Sequence, residues 1–215
     1  KLLWEFSNAE LGFTTTGPAI VRINARKGDP PASPTTSIVD NNTNGRWFVV
    51  FGSGPTGPLN TDTNAQQFLG RSDQNLKLFV LDLKTGSLVR TIDATAQYAG
   101  ATGTEKLENA FAGSLLNAGH DMDQDYQDDI LYVTYVKAED ATLDATTRWT
   151  EGGVLRLITQ EDLAGTELSG GATGTTALNP ANWVLSKVID DAGPITSSVV
   201  RLQNQKTNKL WLYFG

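Results

Sequence analysis

Cysteine is absent from the 215 residues, and histidine and methionine occur once each. Without cysteine, disulfides, thiolate catalysis, cysteine-ligated zinc and iron–sulfur clusters are excluded. A protein of this kind outside the cytoplasm must be stabilised in another way, and a metal ion is one such way. The lone histidine, His120, rules out sites built on two imidazoles and leaves a single base for any nucleophile–histidine relay. Apolar runs are short: "WFVVF" (47–51) is far below the length that spans a bilayer. The 17 basic residues against 24 acidic ones form no cluster. The net charge of −7 therefore argues against nucleic acid or an anionic membrane surface as a partner. Helical patterning is nearly absent, with "LITQEDLAG" (157–165) the one stretch that reads as a helical turn. No secretion signal is visible. "KLLWEF" reads as the middle of a strand and "NKLWLYFG" stops just after one, so the chain reads as a segment of a longer protein.

What is present are short blocks rich in β-branched and aromatic residues, bounded by Gly, Pro, Asn, Asp and Thr, which is an all-β pattern. The blocks recur in order. One set runs through "TGPAIVRI" (16–23), "RWFVVFGSG" (46–54), "LKLFVLDLKTG" (76–86) and "SLVRTID" (87–93). A second runs through "FAGSLLNAG" (111–119), "ILYVTYV" (130–136), "GGVLRLIT" (152–159) and "NWVLSKVID" (182–190). A third begins with "ITSSVVRLQ" (195–203) and "KLWLYFG" (209–215). Four short strands per unit, recurring at roughly 80 to 95 residues, is how β-propeller blades look in sequence, with an irregular β-sandwich as the alternative. The expected layout is a strand of a preceding blade at 1–6, blades at 16–93 and 111–190, and a partial blade at 195–215. That is about two and a half four-stranded blades, so the rest of the ring must come from the remainder of the parent chain. The long loops (27–45, 55–67 and 164–182) are Pro/Thr/Asn-rich or nearly low-complexity, and their composition assigns them no role.

The acidic stretch "HDMDQDYQDD" (120–129) lies directly before the strand at 130. Asp121, Asp123, Asp125 and Asp129 stand at loop positions 1, 3, 5 and 9, with Gln127 at position 7. Calcium takes six to eight hard oxygen ligands, and alternating aspartates on a tight loop converge on one point, with a main-chain carbonyl at position 7. The expected ligands are thus the side chains of Asp121, Asp123, Asp125 and Asp129 and the main chain of Gln127. Asp128 is expected to point outward or to add charge from outside the shell, and reads as the dispensable acid. Magnesium suits an all-protein oxygen cage poorly. The loop departs from an EF-hand in having Tyr126 at position 6, where glycine makes the turn, and Tyr132 at position 12. The alternative is a solvated acidic turn. Against it, crowded carboxylates raise one another's pKa unless neutralised, and no basic residue lies between Lys106 and Lys137. His120, abutting the acids, is expected to have its protonated form favoured. The same frame in the first unit holds "DNNTNGRWF" (40–48), with Asp40, Asn42 and Asn44, and in the third "QNQKTNKLW" (203–211), with no acids.

The D-x-D-x-D-x-x-x-D run before "ILYVTY", with "WFVVFGSG", "LFVLDLKTG" and "KLWLYFG", resembles the C-terminal β-propeller of the PilY family of type IV pilus tip proteins. The likeness covers essentially the whole segment as repeated short motifs. It implies a quinoprotein-like propeller, no enzymatic activity, and a place at the cell surface or pilus tip, with association to the outer membrane. It implies roles in pilus biogenesis, twitching motility and adhesion, with minor pilins and a host or surface ligand as partners. It also implies that calcium at Asp121, Asp123, Asp125, Gln127 and Asp129 governs the balance of pilus extension and retraction.

Two other readings remain open. In one, calcium only stiffens a structural loop. In the other the chain is a quinoprotein-type dehydrogenase. "VLDLKTGSLVR" (80–90) partly matches the blade motif of those enzymes at Asp82, Thr85 and Gly86, but has Val80 for Ala and Arg90 for Trp. A simple turn between two strands explains the same residues. The acids of one tight loop do not flank a sugar ring as glycosidase carboxylates do. Of the tryptophans, Trp4, Trp47, Trp149, Trp183 and Trp211, four lie in expected strands, where packing between sheets is the plainer role.

Overall fold

The first strand shows how the pattern folds. In β1 (Ala19–Ile23) the alternate residues Ala19, Val21 and Ile23 are buried, while Ile20 and Arg22 face the other way. This is a computed structural model; it describes residues 2–23, 45–59, 68–97, 107–122, 124, 126–141, 148–159, 180–204, 206, 207 and 209–215. β1 pairs with β2 (Arg46–Gly52), β2 with β5 (Lys77–Asp82) and β5 with β6 (Leu88–Asp93), all antiparallel. Between them, β3 (Gly57–Leu59) and β4 (Phe68–Arg71) form a small pair of their own. A second antiparallel sheet has the order β7 (Ala110–Ala112), β9 (Ile130–Ala138), β10 (Trp149–Ile158), β11 (Val184–Ile189), with β8 (Gly119–His120) also paired to β9. β9 is apolar along almost its whole length because it is central and covered on both faces. β12 (Val200–Asn204) and β13 (Lys209–Tyr213) make a hairpin. Helical structure among the described residues is a turn at Ala94–Gln97 and a 3-10 turn at Pro180–Asn182.

The sheets stack face to face. Val21, Phe48, Val50, Leu78, Val80 and Ile92 of the first share one core with Leu131, Val133, Tyr135, Leu155, Leu157 and Leu185 of the second. Each such side chain contributes about 1.5–3 kcal/mol when fully buried. Phe48 and Trp183 meet edge to face at 5.4 Å. Arg90 donates to the carbonyls of Pro180 and Trp183 at 2.7 and 2.8 Å, tying β6 to the approach to β11. The far face of the second sheet (Ile130, Tyr132, Val154) is covered by Ile195, Val199 and the inner face of the β12–β13 hairpin, through Leu210 and Leu212. The far face of the first (Val49, Phe79, Leu81) is covered by Trp4, Phe6 and Leu11.

The all-β class is observed, and among the described residues the sheets do not close into a ring. Residues 2–6, expected to be a strand, form none. Their two aromatic rings lie across the first sheet instead, with Trp4 Nε1 donating to the Leu83 carbonyl at 2.9 Å. Apolar burial rather than strand pairing holds this segment. In the expected helical turn at 157–165, β10 continues through Ile158, and 160–165 lie outside the described residues. No helix among the described residues is long and apolar enough to cross a membrane.

Candidate metal centre and the cleft beside it

The acidic stretch is the connection of a hairpin. β8 and β9 pair Gly119 with Leu131 and His120 with Ile130, so residues 121–129 are closed at both ends by a ladder pair. The Asp129 N–H donates to the His120 carbonyl at 2.8 Å. Inside the loop the carboxylates gather main-chain amides. Asp121 accepts the N–H of Gln124 at 2.6 Å and of Tyr126 at 2.8 Å, and Asp129 accepts the N–H of Met122 at 2.6 Å. Position 9 therefore reaches back to the main chain next to position 1, at the Met122 amide. Gln124 and Tyr126 both take left-handed backbone conformations, with φ of 68° and 70°. That is how the chain makes the sharp turn without glycine at position 6.

Of the expected ligands, Asp121 is half-buried, and Gln127 and Asp129 are buried, Asp129 to 1% exposure. Asp123 and Asp125 lie outside the described residues. Among the described residues no three of His, Cys, Asp and Glu gather as a metal-holding group. The donors that are described nevertheless suit a hard divalent cation: carboxylate and carbonyl oxygen without thiolate. A carboxylate as deeply buried as that of Asp129 also needs compensating charge or hydrogen bonds.

Asp128 turns out of the loop toward β1. It differs from a dispensable acid in having fixed partners there. Its Oδ2 accepts the Arg22 N–H at 2.8 Å, its own N–H donates to the Arg22 carbonyl at 2.8 Å, and its carbonyl accepts the Thr159 hydroxyl. One residue thus ties the loop to β1 and to the end of β10. Burial pushes its carboxyl pKa up, opposed by the Arg22 N–H and by Arg201. His120 departs from expectation. It is 9% exposed, its Nε2 is buried without a hydrogen-bond partner, and burial, then Arg201, holds its pKa below 6.5 despite Asp121. The neutral imidazole is favoured because desolvation outweighs the neighbouring acid.

The sister loops differ. Residues 24–44 of the first lie outside the described residues. In the third, β12 and β13 are joined by a short turn in which Asn204 Oδ1 accepts the N–H of Lys206 at 3.0 Å and of Thr207 at 3.3 Å. The dehydrogenase-like stretch is a turn too: Asp82 Oδ1 accepts the N–H and the hydroxyl of Thr85, both at 2.8 Å, and Gly86 has φ 72°.

Beside the acidic loop lies an open cleft of about 530 Å³, lined by Arg22, Trp47, Asp121, Tyr126, Gln127 and Asp128. Arg22 and Trp47 had no signal in the sequence, since they become neighbours only through the β1–β2 register. Trp47 and Trp149 are exposed to 39% and 41%, Trp211 to 54%, and only Trp183 is buried in the way expected of the strand tryptophans. No family profile, curated protein or solved structure matches the chain.

Proposed function

We propose that the chain is a calcium-binding segment of a β-propeller from a type IV pilus tip protein, acting in pilus biogenesis, calcium-dependent extension and retraction, twitching motility and adhesion. The observation that carries the calcium reading is the nine-residue connection from Asp121 to Asp129. Oxygen-bearing residues alternate along it, its last carboxylate accepts the Met122 N–H beside position 1, and its first accepts the N–H groups of Gln124 and Tyr126. Asp121, Asp123, Asp125 and Asp129, with the main chain of Gln127, would hold the ion, which would neutralise the crowded acids and lock the loop. A four-stranded and a five-stranded antiparallel sheet, stacked, with the β12–β13 hairpin beyond them, support the propeller reading. The pilus assignment draws on the motif resemblance. Minor pilins and the remainder of the parent chain are the partners it entails.

A structural role for the ion is the second reading. It is favoured by the burial of Asp129, whose main chain also accepts the Thr159 N–H at 2.8 Å. Calorimetry on the chain and on Asp129→Ala decides between them. Calcium uptake at one site, weakened at least tenfold in a variant that stays folded and alters twitching in the parent protein, supports the regulatory reading. A variant that unfolds supports the structural one, and no calcium uptake by the parent protein overturns both.

A further inference from the structure

The cleft beside the acidic loop has aromatic and basic walls that a cation site does not need. Tyr126 is 80% exposed and stands at φ 70°, where a bulky side chain is strained and glycine is not. Burial of the ring does not offset that strain, because the ring remains in solvent. The backbone beneath it is nonetheless held from both sides: Asp121 accepts its N–H at 2.8 Å, and the Arg22 guanidinium donates to its carbonyl. The held backbone sets an exposed phenol at the cleft rim against its conformational preference, where the ring offers contact area to a ligand. Trp47 lines the same cleft.

The charges of the walls narrow what fits. The Arg22 guanidinium stands 5.8 Å from the Trp47 ring centroid, and its charge opposes a cationic ligand at that ring. The Asp121 and Asp128 carboxylates on the wall repel an anion. What remains is a neutral ligand with an apolar face for the aromatic rings and many hydroxyls for the polar groups. The carboxylates accept from hydroxyls, guanidinium donates to them, and the Gln127 amide does both. A cleft of this size lies in the range of small-molecule sites, with a few polar groups fixing orientation.

We propose that the cleft formed by Arg22, Trp47, Tyr126, Gln127 and Asp128 binds a neutral saccharide, with its C–H face on Trp47 and Tyr126. This goes beyond the calcium reading and does not rest on it. The test is an NMR titration of the whole chain with methyl α-mannopyranoside, methyl β-galactopyranoside and N-acetylglucosamine. Choline and N-acetylneuraminic acid are the cationic and anionic comparators, and each series is run in calcium and in EGTA. The expected result is saturable shifts at the Trp47 indole N–H and the Tyr126 amide with a neutral sugar. Trp47→Ala should weaken binding at least tenfold. Tyr126→Gly should do so too while raising the melting temperature, a gain that a misfolded variant cannot mimic. The proposal is overturned if no neutral sugar gives saturable shifts, if a comparator binds more tightly, or if both variants bind like the parent. Sugar binding in EGTA without calcium uptake would sink the calcium reading alone, and calcium uptake without sugar shifts would sink this one alone.

Discussion

At the scale of single residues, the acidic stretch divides its labour unevenly. Asp128 joins the loop to β1 through the Arg22 N–H, so Asp128→Ala leaves that half-buried amide without its acceptor. Such a loss costs about 1–3 kcal/mol, and urea unfolding should show it, whereas a solvated acid would give no change. His120 supplies a second test. Its pKa in the folded chain lies below the ordinary 6.5, so the unfolded chain binds the proton more readily. Its contribution to stability is therefore fully present above pH 6.5 and is lost as pH falls through that value toward the folded pKa. In calcium-free buffer the one imidazole of the chain should titrate below 6.5 by NMR. A value above it would mean that the carboxylates prevail over burial. The spacing of the acids was legible in the sequence, but the direction of the His120 shift was not. Sequence shows that acids are adjacent, while burial and the approach of Arg201 from β12 arise only on folding.

At the scale of elements, turns and close approaches set the tolerance to change. Gly86 ends the Asp82 turn at φ 72°, and a methyl group there would meet the Trp4 indole at 2.5 Å. Gly193 has a similar φ of 81° but nothing within 4 Å of the same position. Gly193→Ala should thus cost only the backbone strain, about 1 kcal/mol, and Gly86→Ala about 1 kcal/mol or more beyond that. Chemical denaturation of the pair checks it, and equal losses would mean that Trp4 yields freely. The Asp82–Gly86 turn was readable because Asp, Thr and Gly at that spacing form it locally. The place of Trp4 was not, since "KLLWEF" has the composition of a strand and only the apolar face of β2 and β5 offered it a better partner. Arg90 shows the same limit. Its position marked it as a departure from a motif, yet its bonds to Pro180 and Trp183 depend on the stacking of two sheets.

At the scale of the molecule, the stacked sheets leave one apolar face in solvent. Val200, Leu202, Trp211 and Tyr213 on the outer face of the β12–β13 hairpin are 54–64% exposed. A patch of this kind favours self-association. Leu202→Lys should change stability by no more than about 0.5 kcal/mol, because the side chain buries little, and should reduce association at high concentration. Sedimentation velocity and a thermal melt together check this. A large drop in stability would show that the face is already packed.

The sequence by itself determined the all-β class, the recurring strand blocks and the spacing of Asp121, Asp123, Asp125, Gln127 and Asp129. These depend on residues close together in the chain, where alternation and turn chemistry act directly. Only the tertiary structure decided that Asp128 is a tie to β1, that burial lowers the His120 pKa, and that Arg22, Trp47 and Tyr126 share one cleft. The β1–β2 register and the docking of the acidic hairpin on β1 bring those groups together from positions some hundred residues apart. Their chemistry follows from desolvation and proximity, which exist only after the sheets have stacked.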